Sequence, residues 1–177
     1  MSITKEKLDK SLSQLKSELN ETNLLALPRL TKIVVNTGLG RNRDKKHLEL
    51  VTDRLAKITG QKVSTRGAKK SVASFKVREG DIIGAAVTLR GGQMWGFLDK
   101  LLNVAIPRIR DFRGFEIKSI DDVGNLSIGI KEHTIFPETA DEDLKDVFGM
   151  TITLATTAGD KKVAQAFFRA MGFPFKK

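Results

Sequence analysis

The chain has no cysteine and no tyrosine, and only two histidines, four prolines and one tryptophan in 177 residues. Without cysteine there is no disulfide framework, no thiolate nucleophile and no thiolate ligand for a metal. His47 and His133 stand far apart in sequence, whereas a zinc site needs three or four ligands at close spacing. Gly38-Leu39-Gly40 carries Arg43 where a dinucleotide fingerprint needs its third glycine, and no glycine-rich run ends in Gly-Lys-Ser/Thr. No catalytic residue, metal or cofactor is therefore expected. An enzyme acting on RNA would need a metal-binding carboxylate cluster or a histidine acid/base pair, and neither is visible. Long apolar runs are missing too. The longest, residues 94–106, is broken by Asp99 and Lys100, and a membrane helix needs about 20 apolar residues. The first residues show no apolar signal-peptide core. The expectation is a soluble, cytoplasmic chain with no membrane partner and no small-molecule substrate.

What the sequence has is positive charge. Lysine and arginine number 31 against 21 acidic residues, a formal net charge of +10. Such an excess bears on partners rather than fold, and nucleic acid is the first candidate. A hydrophobic fraction of 40% is enough for one sizeable core, so residues 1–177 are expected to form a single domain.

Leu8, Leu12, Leu15 and Leu19 mark an N-terminal helix within residues 1–22. Leu48, Val51, Leu55 and Ile58 mark a second over 44–59, stopped by Gly60. Helices are also expected over 93–105, before Pro107, and over 161–171, before Gly172. Strands are expected at 30–35, around Val63, at 72–77, 82–89, 126–130 and 150–156. Residues 107–148 read as largely irregular. Strands and helices mix without a strict βαβ repeat. The predicted fold is therefore α+β, with two layers. A mainly antiparallel sheet carries helices on one face and a protruding basic hairpin loop over 66–81, and its other face stays open for a ligand.

Charge is unevenly spread. Residues 61–80 hold Lys62, Arg66, Lys69, Lys70, Lys76 and Arg78 against Glu79 alone, a net +5. Gly67, Ser71, Ala73 and Ser74, around Val72, keep the segment small, and Phe75 offers a stacking face. A solvated hairpin is the alternative. Arg108, Arg110 and Arg113 flank Asp111 between Pro107 and Gly114. Their forks suit phosphates, and equally suit local salt bridges. Residues 41–47 form a third basic run before a helix, either an anion site or a solvated helix end. Glu138, Asp141, Glu142, Asp143 and Asp146 oppose only Lys145, a net −4. That patch repels RNA and either faces a basic protein or is a solvated loop.

Several blocks stand in order along the chain: Pro28-Arg29-Leu30 with Lys32-Ile33-Val34-Val35-Asn36-Thr37-Gly38, Thr59-Gly60-Gln61-Lys62, and Ala68 through Gly80. They continue with Val87-Thr88-Leu89-Arg90-Gly91 and Met94-Trp95, then Pro107-Arg108-Ile109-Arg110-Asp111-Phe112-Arg113-Gly114, Gly124-Asn125-Leu126-Ser127, Ile135-Phe136-Pro137-Glu138, Thr151-Ile152-Thr153 and Phe173-Pro174-Phe175. Together they resemble the bacterial large ribosomal subunit protein five family, which binds 5S ribosomal RNA, and the resemblance spans nearly the whole chain. It implies a structural protein of the central protuberance that meets 5S rRNA with its open sheet face, through Asn36, Gln61, Thr88, Arg90 and Thr156. It implies further that the loop from Lys69 to Gly80 reaches the elbow of P-site tRNA. Arg108, Arg110, Asp111 and Arg113, with Glu138, Asp141, Glu142 and Asp143, would face small-subunit head protein thirteen as an intersubunit bridge. 23S rRNA and neighbouring 5S-binding proteins complete the implied partners. The chain departs from the family pattern in lacking tyrosine, with Asp81-Ile82 after Gly80 and Leu126 in the Gly-Asn-Tyr-Ser motif. A free-standing basic nucleic-acid-binding regulator is the alternative reading.

Overall fold

A computed structural model describes residues 3–19, 21, 23–39, 44–139 and 147–176. Its elements run α1 (Ile3–Glu18), β1 (Leu30–Gly38), α2 (Lys45–Thr59), β2 (Ser64–Gly67), β3 (Ile82–Leu89), α3 (Gly91–Lys100), β4 (Leu126–Ile130), β5 (Met150–Thr156) and α4 (Lys161–Ala170). The strands form one five-stranded antiparallel sheet in the order β2-β3-β1-β5-β4. The α+β class follows the patterning: β-branched runs make the strands, and 3–4 spacing of leucine and valine makes the helices.

Contacts divide the chain into two compact units. One comprises Met1–Ile33, Leu89–Ile128 and Thr153–Lys177. In it α1 packs on α4 and α3, burying Leu8 and Leu15 beside Phe167, Phe168, Leu98 and Leu101. Asp99, which breaks the apolar run in the sequence, has a structural task here. Its two carboxylate oxygens accept the Ile3 and Thr4 N–H groups at 3.1 and 2.7 Å, satisfying donors at the start of α1 that have no intrahelical partner. The helix expected over 93–105 keeps its α form only to Lys100. It widens into a π turn over Leu101–Ala105 and tightens into a 3₁₀ turn over Ile106–Arg108, because Pro107 cannot donate to a continuing ladder.

The other unit comprises Val34–Thr88 and Gly129–Ile152. Val51, Leu55 and Ile58 bury one face of α2, and Phe136, Val35, Val87 and Ile152 fill the same core. Gly60 ends α2 at φ +68, its N–H donating to Ala56 O at 2.8 Å. That left-handed conformation is the reason for glycine there. β2 and β3 pair from Ser64↔Ala86 to Gly67↔Ile82. The expected strand over 72–77 is not one. Only Val72 and Val77 pair, around a 3₁₀ turn at Ala73–Phe75 closed by Lys76 at φ +50. The valines follow a strand pattern, but a chain reversal separates them.

Candidate nucleic-acid interface

Alternation along each strand sorts its side chains onto two faces. On β1, Ile33, Val35 and Thr37 are buried while Val34, Asn36 and Gly38 point the other way. On β3, Ala85, Val87 and Leu89 are buried, and Gly84, Ala86 and Thr88 share the opposite parity. β2 adds Arg66 opposite Gly84 and Ser64 opposite Ala86. Over these three strands the outward parity thus carries one amide, two hydroxyls counting Thr88, one guanidinium, the apolar Val34 and Ile82, and several positions with little or no side chain. A Cβ on Gly84 would lie 3.1 Å from Thr37 O, so close strand approach requires glycine there. The small positions among these admit a nucleic-acid strand closely. The amide and hydroxyls match ribose hydroxyls and phosphate oxygens.

The residues singled out in the sequence fall as follows. Asn36 is exposed on β1 and borders a shallow depression lined by Gly38, Gly129, Gly149 and Thr151. Gln61 follows the turn at Gly60, and its side-chain amide donates to Thr88 O at 3.2 Å. Two residues 27 positions apart are thereby brought together. Arg90 is exposed, in extended backbone at φ −141 just before α3. Thr156 is half-buried and turned to its own surroundings. Its hydroxyl donates to Gly124 O at 2.7 Å and accepts the Ala158 N–H at 3.2 Å.

That threonine belongs to a bracket that the sequence reading missed. The Asp121 carboxylate accepts the Asn125 backbone N–H at 2.6 Å and its side-chain amide at 2.9 Å. Asn125 Oδ1 in turn accepts the Thr156 N–H at 3.1 Å. Desolvation opposes ionisation of Asp121. The Asn125 backbone and amide groups, with the Gly124 and Val123 N–H groups, outweigh it and hold the carboxyl below its ordinary range. The signal was available as Asp followed by Gly-Asn at turn spacing.

The basic segment between β2 and β3 is internally hydrogen-bonded. Val72 and Val77 exchange both backbone bonds at 2.9 and 3.1 Å. Ser71 Oγ accepts the Glu79 N–H and the Asp81 carboxylate accepts the Arg78 N–H. Lys69, Lys70, Ser71, Val72, Ala73, Ser74, Phe75, Lys76 and Arg78 are all exposed, Phe75 at 72%. Cations and an aromatic face are thus presented together.

Arg108, Arg110, Asp111 and Arg113 are exposed on the segment after α3, with Asp111 at φ +55. Residues 174–176 anchor its end. Pro174 O accepts the Phe115 N–H at 2.8 Å, and Phe115 O accepts the Lys176 N–H at 2.9 Å. Lys176 Nζ meets Glu116 at 2.8 Å, and this hydrogen-bonded cation lowers the Glu116 pKa. Gly114 sits at φ +100 with Lys176 N only 2.8 Å from where a Cβ would be. Glu138 is exposed in the turn Pro137–Thr139. Asp141, Glu142, Asp143 and Asp146, like Arg41 and Arg43 of the third basic run, lie outside the described residues.

The histidine question has a structural answer for one residue. His133 is fully buried, stacked on Phe148 with ring centroids 4.2 Å apart. Its Nδ1 accepts the Phe148 N–H at 3.3 Å, and Arg54 Nη1 lies 3.4 Å from Nε2. Among the described residues no group of three or more His, Cys, Asp or Glu could hold a metal ion. No helix among them is long and apolar enough to cross a membrane.

Two family profiles match the chain. One, described as ribosomal protein L5, covers residues 23–78. The other, described as the C-terminus of the same ribosomal family, covers residues 82–175. Similar proteins include the large ribosomal subunit protein uL5 of Marinomonas sp. (strain MWYL1), 48% identical over 96% of this chain and 95% of that protein. That of Parasynechococcus marenigrum (strain WH8102) is 45% identical over 99% of both. That of Ureaplasma urealyticum serovar 10 is 44% identical over 96% and 92% respectively.

Proposed function

The chain belongs to the ribosomal protein L5 family, a structural, non-enzymatic family of the large ribosomal subunit, and on that premise we propose that it binds 5S rRNA through its outward sheet face. The observation that carries this reading is the sheet surface itself. Asn36 and Thr88 share the outward parity on adjacent strands, and Gln61 is hydrogen-bonded to the Thr88 carbonyl. Arg90 supplies a phosphate fork beyond the end of β3. Thr156 contributes indirectly, by holding the 121–125 turn. The exposed cations and Phe75 between β2 and β3 suit the elbow of P-site tRNA, where charge and stacking act together. Arg108, Arg110, Asp111 and Arg113, with the acidic Glu138, Asp141, Glu142 and Asp143, are assigned to the basic small-subunit head protein thirteen, a partner of the right sign for the acidic residues. 23S rRNA and neighbouring 5S-binding proteins are the remaining partners within the central protuberance of the cytoplasmic ribosome.

The test is 5S rRNA affinity of the wild-type chain and of the double variant Asn36→Ala/Thr88→Ala across a salt series. A loss of about 1–3 kcal/mol with an unchanged salt slope is expected, since the substitutions remove non-ionic hydrogen bonds. Unchanged affinity in the double variant would remove the sheet face from the interface.

A further inference from the structure

Gln61 stands at a gap in the sheet. β2 and β3 pair in a register that runs through Thr65↔Ala85 and Ser64↔Ala86. Continued by two positions, it would set Lys62 opposite Thr88. β2 begins only at Ser64, so it has no residue to offer Thr88. The Gln61 side chain takes that place. Gly60, in the left-handed conformation that ends α2, turns the chain toward β2, and the Gln61 amide donates to Thr88 O at 3.2 Å. The bond fixes which way the amide faces. A backbone carbonyl oxygen only accepts, so the end of the amide turned to it is the nitrogen. The two ends cannot exchange without losing the bond. Oε1 is thereby held away from Thr88 O, on a half-buried side chain, and it is not enclosed. Asn36 differs: it is exposed, and no described residue ties its amide, so it can present either end.

Chemistry selects what an oriented carbonyl oxygen takes. It needs a donor. Phosphodiester oxygens carry no hydrogen at neutral pH and cannot supply one. Along an RNA backbone the donor is the ribose 2′-hydroxyl, a group that DNA lacks. Amino groups of bases also donate, but they are engaged wherever the RNA is paired. Gly84 and Ala86, which share the outward parity of Thr88, let a backbone come close. We propose that Gln61 is the residue by which the sheet face distinguishes RNA from DNA. Its Oε1 accepts from the 2′-hydroxyl of one nucleotide while Thr88 O holds its nitrogen. The nitrogen's second hydrogen can meet a phosphate, but that contact does not separate the two nucleic acids. The inference rests on the 5S reading and adds to it a single chemical task for one residue.

The test is analogue interference with the full chain. 5S rRNA transcripts carrying scattered 2′-deoxy substitutions are bound, and the positions where a missing hydroxyl weakens binding are mapped. The wild-type chain should show such positions. Gln61→Met keeps the length of the side chain and removes both polar atoms. In that variant one position should fall silent, and affinity for unmodified 5S rRNA should drop about five-fold, one neutral hydrogen bond's worth. Asn36→Ala should leave that position interfering. So should Thr88→Val, which removes the hydroxyl and keeps the carbonyl that holds Gln61. A purely structural Gln61 predicts instead that Gln61→Met weakens binding and silences no position, and that result overturns the proposal. Silencing of the same position by Thr88→Val also overturns it, since the hydroxyl is then read by the threonine. The wild-type chain supplies a reading that depends on no variant: 5S binding without any 2′-deoxy interference sinks the inference and leaves the 5S reading standing. A wild-type chain that does not bind 5S rRNA overturns the proposed function and this inference with it.

Discussion

Asp121 does for one turn what no apolar contact could do: it satisfies two donors of Asn125 and so fixes the amide that caps β5 at Thr156. Its folded pKa lies below the unfolded one. Its extra stabilisation is therefore fully present above the unfolded value and is lost as pH falls through the lowered folded value. Asp121→Asn is expected to cost about 1 kcal/mol at neutral pH, a modest figure because the group is exposed to solvent. The loss should shrink toward zero in acid, where the wild-type carboxyl is itself protonated. Urea titrations of both proteins from neutral pH downward check this, and a gap that persists in acid would contradict it. At this scale the sequence was a partial guide. Charge and exposure at Lys69, Lys70 and Arg78 are legible, because isolated cations stay in water. The roles of Asp99 and Arg54 and the Asn125–Thr156 bond are not, because these partners lie 95, 79 and 31 residues apart, and periodicity carries no information at that range.

Elements were legible where local rules decide them. Gly60 is a clear case: its φ of +68 is the left-handed stop that the Thr-Gly sequence after an apolar stripe implies. Gly60→Ala forces a Cβ into that conformation and should destabilise the fold by about 1 kcal/mol. It should also slacken the hold of Gln61 on Thr88. A lower thermal midpoint with weaker 5S binding is the expected pair of readouts. The strand expected at 72–77 shows where local rules mislead. Val72 and Val77 are β-formers, yet Lys76 at φ +50 reverses the chain between them. Nothing in residue type announces that reversal, since lysine rarely adopts a positive φ. The change from α to π and 3₁₀ geometry after Lys100 was signalled by Pro107, but not at its full length.

At the scale of the molecule, each unit is assembled from segments far apart in the chain, so folding depends on non-local contacts and is expected to be slow for its size. The segment between β2 and β3 is an exception. Its ends already meet, with Ala68 N–H donating to Asp81 O at 2.8 Å and Gly80 N–H to Ala68 O at 3.0 Å. Deleting residues 69–79 leaves a short hairpin connection. The product should fold, retain 5S affinity and lose affinity for tRNA. Abolished 5S binding in a folded deletion variant would reassign the loop. The pairing of Phe115 with residues 174–176 has its own consequence for how the protein is made. Synthesis runs from residue 1 onward, so the arginines at 108, 110 and 113 leave the exit tunnel about 60 residues before residues 174–176, which anchor the end of their segment. Until then the bonds that Pro174 and Lys176 make to Phe115 are unformed. On the proposed bridge role, a nascent copy gains the anchored form of that edge only as its own translation ends, so the machine that makes it sets the moment at which it can join another.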